Sequence, residues 1–124
     1  MPLAALLIED SAPIRKTLVP LLEEFANLEV IAEATTAAEA MAALRTHADT
    51  WRLVILDLFL RQGNGIEIAR ALADRRPDQH VLLITNYLTP EIRRRSLDAG
   101  VDGVYDKSTE IEPFLDHCRS YSAA

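Results

Sequence analysis

The stretch Leu53-Val54-Ile55-Leu56-Asp57 is a run of aliphatic residues that ends in a carboxylate. Three similar runs each end beside a different reactive side chain: Leu6-Leu7-Ile8 before Glu9-Asp10, Leu82-Leu83-Ile84 before Thr85, and Gly103-Val104-Tyr105-Asp106 before Lys107. Near-continuous aliphatic runs separated by helical patterns are typical of buried parallel strands. Because ligands of such sheets bind outside the carboxyl ends of the strands, we expect these side chains to share one pocket.

Helical patterns alternate with these runs along the chain. A further strand is predicted over residues 29–34, and helices are predicted over residues 12–25, 37–47 and 65–75, between Thr89 and Gly100, and from about residue 110. Two helix starts, Thr36 with Glu39 and Thr109 with Glu112, have the spacing of capping boxes. Five strands and five helices predict an α/β fold, a doubly wound five-stranded parallel sheet of order 2-1-3-4-5, flavodoxin-like, as a single domain over residues 1–124.

Two helices carry more detailed expectations. The first should bury one stripe, formed by Ile14, Leu18, Leu21, Leu22 and Phe25, and should be kinked or loosened at Pro20. The third should bury Ile66, Ala69, Leu72 and Ala73.

Composition narrows the class of protein. Apolar residues make up 49% and charged residues 26% of the 124, which favours neither a disordered nor a membrane protein. The net charge of −6 disfavours direct contact with nucleic acid, and no apolar stretch reaches the roughly 18 residues needed for membrane insertion. Cys118 is the only cysteine, so a reduced core residue in a cytoplasmic protein is expected. The chain ends soon after the fifth helix, so no output domain is expected.

The reactive residues predict a charged site. The carboxylates of Glu9, Asp10 and Asp57 would repel one another unless a cation lies among them, and Mg²⁺ suits a small set of oxygen ligands. Lys107 would add a second positive charge and Thr85 a hydroxyl donor. Such groups can surround a phosphoryl group bonded to a carboxylate. Asp57 is the expected nucleophile because it stands alone after the most apolar strand.

At this point the whole chain resembles the receiver domains of two-component response regulators. Glu9-Asp10 matches the acidic pair of that family and Asp57 matches its phosphoacceptor. The other characteristic residues of the family are matched by Thr85, Tyr105 and Lys107. The resemblance implies a Mg²⁺ site formed by Glu9, Asp10, Asp57 and the backbone carbonyl of Phe59. It also implies a signalling domain that catalyses only its own phosphorylation and dephosphorylation.

The resemblance implies partners and a switch as well. A sensor histidine kinase or a histidine phosphotransfer protein would donate the phosphoryl group to Asp57, and Lys107 would pair with that group. Thr85 would then turn inward and Tyr105 would fill the space that it leaves. The surface of the fourth helix, fifth strand and fifth helix would change, regulating a separate target protein or self-association.

The sequence departs from the family pattern at several positions. Glu9 is one methylene longer than the commoner aspartate, so it is expected to reach the metal through water. Ser108 replaces the usual proline after the lysine, so a trans peptide is expected there. Asn86, Tyr87 and Phe59 are bulky and should crowd the approach to Asp57, which predicts slow hydrolysis of the phosphorylated form.

Two alternatives to a phosphorylated receiver remain open. An aspartate-nucleophile phosphohydrolase would carry a second aspartate two residues after the nucleophile, where this chain has Phe59. A pseudo-receiver would keep the fold and bind a partner without phosphorylation. Intact Asp57, Asp10 and Lys107 argue against the pseudo-receiver, whereas Glu9, Asn86 and Ser108 favour it.

Other motifs have simpler interpretations. Arg93-Arg94-Arg95 is interpreted as a solvated helix surface, because three adjacent helical residues point in different directions. His47, His80 and His117 lack metal-ligand spacing and are interpreted as structural or exposed.

Overall fold

The computed structural model describes residues 2–122, in which five parallel strands alternate with five helices. The strands are β1 (Leu3–Ile8), β2 (Leu28–Ala34), β3 (Leu53–Asp57), β4 (His80–Thr85) and β5 (Gly103–Asp106). The helices are α1 (Ala12–Phe25), α2 (Ala37–Thr46), α3 (Gly65–Ala71), α4 (Pro90–Asp98) and α5 (Ile111–Ser122). The sheet order is β2-β1-β3-β4-β5 and all pairings are parallel, so the predicted fold class and strand order are confirmed.

Alternation along each strand divides the core between the two faces of the sheet. On one face, Leu6, Val54, Leu83 and Val104 pack with residues of α2 and α3. On the other, Leu7, Ile55 and Ile84 pack with residues of α1 and α5. Helices thus cover both faces, which explains why the strands are apolar at nearly every position.

The register of the strands brings their carboxyl ends to one level. Ile8 pairs with Leu56, so Glu9 follows β1 at the height where Asp57 ends β3. Thr85 pairs with Asp106, so Lys107 lies one residue beyond the end of β4. The reactive residues therefore lie along a single edge of the sheet.

Capping side chains explain several helix starts, although one predicted capping box is only half formed and another is wrong. Thr36 Oγ1 accepts a hydrogen bond from Glu39 N (3.1 Å), but the Glu39 carboxylate bonds to Thr35 N (2.8 Å) instead of Thr36. At α5, the Asp106 carboxylate accepts from the Thr109 amide (3.1 Å), and no bond joins Thr109 to Glu112 among the described residues.

The structure differs from three further expectations about the helices. Helix α3 ends at Ala71 instead of near residue 75, where the backbone tightens so that the Ala73 amide donates to the Arg70 carbonyl (3.2 Å) and the Arg75 guanidinium donates to the Leu72 carbonyl (3.0 Å). Ala73, expected on the inner face, is therefore exposed. Phe25 ends α1 with 52% of its surface exposed, so it is not part of the buried stripe. Helix α1 is continuous through Pro20.

Across residues 2–122, none of the helices combines the length and apolar character that a membrane crossing requires.

Candidate functional site

Three carboxylates meet at the ends of β1 and β3. Oxygen atoms of Glu9, Asp10 and Asp57 all lie within 4.8 Å of one another. Glu9 and Asp57 are buried and Asp10 is half-buried. Clustered carboxylate oxygens form the ligand set of hard divalent cations such as Mg²⁺, so these residues fit the predicted metal.

Lys107 extends from the end of β5 into this cluster. Its Nζ lies 3.2 Å from Asp57 Oδ1 and makes a shorter contact with Glu9 Oε1. Only 12% of its side chain is exposed, and its backbone amide donates to the Thr85 carbonyl (3.0 Å). The structure therefore gathers Glu9, Asp57 and Lys107 as expected from the strand ends.

The two buried carboxyl groups differ in their affinity for a proton. Burial, together with a hydrogen bond and repulsion from Glu9, raises the pKa of Asp57 to about 7, despite the attraction of Lys107. Burial also opposes ionisation of Glu9, but hydrogen bonds with Lys107 and Asp57 outweigh it and hold the Glu9 pKa below its usual value. Glu9 therefore carries the negative charge that pairs with Lys107, and a cation bound beside Asp57 would favour its ionised form.

The turn between β1 and α1 fixes Glu9 through groups that sequence reasoning missed. Glu9 Oε2 accepts from the Ser11 amide (3.2 Å), while the Arg15 guanidinium donates to the Glu9 carbonyl (2.6 Å). Arg15 also forms an ion pair with Glu33 (3.2 Å). No motif in the sequence identifies Arg15, because its role depends on how α1 is oriented relative to β1.

The site opens into a cavity of about 190 Å³ beside the aromatic rings of Phe59 and Tyr87. The two rings meet edge to face with centroids 5.5 Å apart, and 53% of Phe59 and 67% of Tyr87 are exposed. Exposed Asn86 also lines the cavity. All three residues predicted to control access therefore line the cavity, and Phe59 lines it together with the three acids.

A larger groove of about 410 Å³ lies between α1 and α5. It shares Ile14, Asn86 and Lys107 with the cavity of the acid cluster, but Leu18, Leu21 and Phe114 make it largely apolar. Because the groove lacks the three clustered carboxylates, the reactive centre is assigned to the smaller cavity.

Thr85 is fully buried at the end of β4. Its Oγ1 accepts a hydrogen bond from the Tyr87 amide (3.0 Å). The hydroxyl is therefore held by the loop that follows its own strand, and Thr85 is not among the described residues that line the cavity.

Tyr105 does not occupy the position expected of it. Its hydroxyl lies 2.7 Å from His117 Nδ1 on α5, and its ring packs 5.9 Å from that of Phe114. Thr85 belongs to the opposite face of the sheet, because Leu83, two residues earlier, packs with the α2 and α3 cluster. On β5 the residue that shares the Thr85 face is Val104. The prediction that Tyr105 fills the space left by Thr85 is therefore corrected on geometric grounds.

His117 connects two tyrosines, which its sequence position did not indicate. Its Nε2 lies 2.8 Å from the Tyr121 hydroxyl, and the ring of Tyr121 stacks on His80 with centroids 3.9 Å apart. The interpretation of His80 and His117 as structural residues agrees with these contacts. Cys118 is buried in the same helix, and burial raises the pKa of its thiol to about 12.

Comparison with known families identifies the class of this protein. The family described as "Response regulator receiver domain" matches residues 5–119. The chain belongs to this family of two-component signalling domains, which take phosphoryl groups from histidine kinases and act as phosphorylation-activated switches.

Individual relatives agree with this assignment. The chain is 39% identical over 97 residues to the DNA-binding transcriptional activator DevR/DosR of Mycobacterium tuberculosis, covering 78% of this chain and 44% of the relative. It is 27% identical over 122 residues to the response regulator protein VraR of Staphylococcus aureus, covering 98% of this chain and 57% of the relative. The chain thus spans about half the length of each relative.

A solved structure shows the same fold. A chain of the CheX-CheY-BeF3-Mg²⁺ complex of Borrelia burgdorferi superimposes with a TM-score of 0.85 at 20% identity, covering 99% of this chain and 90% of the other.

Proposed function

We propose that this receiver accepts a phosphoryl group on Asp57 from a sensor histidine kinase or a histidine phosphotransfer protein, in a reaction that requires Mg²⁺. The observation that carries the proposal is the convergence of Lys107 and three carboxylates on one cavity. The Borrelia burgdorferi relative, whose complex includes BeF3 and Mg²⁺, supports the same chemistry.

The proposed transfer forms one bond and breaks another. An oxygen of the Asp57 carboxylate attacks phosphorus as the bond between phosphorus and the donor's histidine nitrogen breaks, and the departing histidine takes the electron pair. The Lys107 ammonium, already 3.2 Å from Asp57, is placed to pair with a phosphoryl oxygen. Glu9, Asp10, Asp57 and the Phe59 carbonyl would hold Mg²⁺, which when bound neutralises charge on the phosphoryl oxygens.

The switch is proposed to begin at Thr85. Its hydroxyl would leave the Tyr87 amide and donate to a phosphoryl oxygen. Because the Thr85 carbonyl also accepts from the Lys107 amide, strands β4 and β5 would respond together. We propose that the α4-β5-α5 surface changes as a result, without the inward turn of Tyr105.

The partner that reads this surface is proposed to be a separate target protein or a second copy of the chain. Arg93 on α4 already contacts β5 and the residue before α5, donating to the Val104 carbonyl (3.1 Å) and pairing with Glu110 (3.4 Å). DNA binding belongs to DevR/DosR as a whole, of which this chain spans 44%. That residues 1–124 form a single receiver domain stays a prediction. That this domain makes no direct contact with nucleic acid also stays a prediction.

Mass measurement after incubation with Mg²⁺ and acetyl phosphate tests the proposal. A phosphate adduct on the parent protein that disappears in Asp57→Asn and requires Mg²⁺ supports it. No adduct from either the small donor or a histidine phosphotransfer protein would contradict it and favour the pseudo-receiver. A phosphohydrolase is disfavoured because the Phe59 side chain cannot serve as a proton donor.

A further inference from the structure

The chain segment that carries Lys107 is shaped by its two neighbours. Every peptide bond among residues 2–122 is trans, including the one between Lys107 and Ser108. Asp106 Oδ1 accepts three hydrogen bonds, from Ser108 N (2.8 Å), Ser108 Oγ (2.7 Å) and Thr109 N (3.1 Å). A side chain that binds the backbone two and three residues later closes a tight turn around the intervening residue.

The backbone on both sides of Lys107 is also held from outside the turn. The Asp106 amide donates to Glu110 Oε1 (2.9 Å), and the Lys107 amide donates to the Thr85 carbonyl (3.0 Å). The Lys107 side chain leaves this anchored turn toward Glu9 and Asp57. Asp106 itself is absent from the described residues that form the acid cluster.

We propose that Asp106, assisted by Ser108, is a positioning residue that aims Lys107 at the phosphorylation site. A lysine ammonium sits on a flexible four-carbon stem, so its location depends on how firmly its own backbone is anchored. Displacement of a reacting group by about 1 Å can slow a reaction by up to about a hundredfold. In this chain, hydrogen bonds accepted by one carboxylate fix the turn in which the family usually places proline. The inference rests on the proposed function of Asp57.

Variants of Asp106 separate the hydrogen bonds from its charge. Asp106→Ala is expected to slow phosphorylation of Asp57 by acetyl phosphate about tenfold. Asp106→Asn retains an oxygen that can accept the same bonds, so it should stay within about threefold of the parent. Ser108→Ala removes one bond and should give an intermediate rate. Asp98→Ala, on the exposed side of α4, serves as the matched control with an unchanged rate.

A double variant distinguishes positioning from general damage. If Asp106 acts through Lys107, Asp106→Ala should cause no additional loss of beryllofluoride affinity in a Lys107→Ala protein. Full additivity of the two losses, or equal slowing by Asp106→Ala and Asp106→Asn, would overturn the inference. The Mg²⁺ affinity, measured by calorimetry, should not fall in Asp106→Ala, because the three carboxylates are intact and Lys107 competes with the metal for them.

Amide hydrogen exchange tests the turn without phosphorylation. Exchange at Ser108 and Thr109 should accelerate at least tenfold in Asp106→Ala and far less in Asp106→Asn. Unchanged exchange would contradict the role of Asp106 even in a protein that is phosphorylated normally. Failure of the parent protein to accept phosphate would instead count against the proposed function, and the exchange result would still decide whether Asp106 orders the turn.

Discussion

Asp57 holds a proton more tightly than an ordinary aspartate, and this has a consequence for stability. Its pKa is raised from 3.8 to about 7, so between these values the folded protein retains a proton that the unfolded chain releases. The free energy of unfolding should therefore fall as the pH rises from about 4 to 7. We expect Asp57→Asn to be more stable than the parent by about 2 kcal/mol at pH 8 without metal, since the lowered pKa of Glu9 offsets part of the effect.

Urea denaturation at pH 4 and pH 8 in the presence of EDTA measures this difference. The advantage of Asp57→Asn should vanish at pH 4, where Asp57 is neutral in the folded parent. The groups that face Asp57 are Glu9, Asp10 and Lys107, and all remain in the variant. A variant that is equally stable or less stable than the parent at pH 8 would show that the ionised Asp57 carboxylate does not destabilise the folded protein. Saturating Mg²⁺ serves as the control, because it should favour the parent.

Phe59 is predicted to slow hydrolysis of the phosphorylated protein. Its ring and that of Tyr87 stand at the opening of the cavity, where an attacking water must approach phosphorus in line with the bond that breaks. Phe59→Asn should accelerate phosphoryl loss by about tenfold, equivalent to about 1.4 kcal/mol of barrier. The decay of the phosphorylated mass after removal of the donor provides the rate.

Phe25→Asn is the matched control for this measurement. Phe25 is exposed to the same degree as Phe59, at 52% against 53%, but it ends α1 and is absent from the cavity lining. Its substitution should leave the decay unchanged. An equal decay rate in Phe59→Asn and the parent would mean that the aromatic pair does not obstruct water.

Ser96 on α4 is a buried polar residue without a hydrogen-bond partner. Its Oγ contacts no donor or acceptor among the described residues, and its side chain is fully buried. A buried hydroxyl without a partner destabilises a protein by about 1–3 kcal/mol. Ser96→Ala should therefore raise the free energy of unfolding by about 1 kcal/mol in urea denaturation. Ser120→Ala, at an exposed position of α5, gains the same helix propensity but loses the hydrogen bond that its hydroxyl donates to the His117 carbonyl (2.6 Å), so it should gain less stability. An equal gain in both variants would show that the buried hydroxyl without a partner is not the cause.

At the scale of the elements, the start of α3 depends on close approach to the strand that carries Asp57. A Cβ on Gly65 would lie 2.5 Å from the Asp57 carbonyl oxygen and 3.3 Å from Leu56 Cβ. Gly65→Ala must push α3 away from β3, so we expect a loss of about 2 kcal/mol in stability. It should also weaken Mg²⁺ binding measured by calorimetry, because the carboxylate moves with its backbone.

Gly100→Ala isolates the effect of this close approach. Gly100 follows α4 with φ +99°, and a Cβ there would meet nothing within 4 Å. Its substitution should cost about 1 kcal/mol through backbone strain alone and leave Mg²⁺ affinity unchanged. Normal Mg²⁺ affinity in Gly65→Ala would show that β3 does not move.

The positions of the strands were more predictable from the sequence than the ends of the helices. They were also more predictable than the face of the sheet on which each side chain lies. The run before Asp57 is apolar at every position because both faces of β3 are covered, and this signal is local. The end of α3 involves a contact with a distant part of the chain. The Arg75 side chain also bonds to the carbonyls of Gln79 and of Gly100, which is 25 residues away. Contacts that join distant parts of the chain leave no periodic trace, so the predicted helix was about four residues too long.

The misplacement of Tyr105 has a similar cause. Residues at a strand end can be assigned to an edge of the sheet from the sequence, but assigning them to a face requires the register between strands. Once Thr85 is paired with Asp106, alternation places Tyr105 on the α5 side and Val104 on the Thr85 side. The predictions for Asp57, Asp10 and Lys107 were insensitive to this choice, because these side chains project beyond the ends of the strands.

At the scale of the whole molecule, the site joins parts of the chain that lie about a hundred residues apart. Lys107 contacts Glu9 across the sheet; Glu9 is buried, and only 12% of the Lys107 side chain is exposed. An event at the site should therefore alter the cooperative stability of the entire domain. Since ligands that bind only the folded state raise its stability, Mg²⁺ should be detectable in global unfolding.

Lys107→Ala tests this coupling. Without metal, the substitution leaves buried Glu9 without its cation, and loss of one partner of a buried pair costs about 3 kcal/mol. Mg²⁺ should restore more stability to Lys107→Ala than it adds to the parent, because it then replaces the positive charge that Lys107 supplied to the three carboxylates. Urea denaturation at pH 8 with EDTA or saturating Mg²⁺ provides the four free energies. The other lysine of the chain, Lys16, is exposed on α1, and Lys16→Ala should behave like the parent in both conditions. If Mg²⁺ stabilised Lys107→Ala no more than the parent, the lysine and the metal would not be neutralising the same carboxylates.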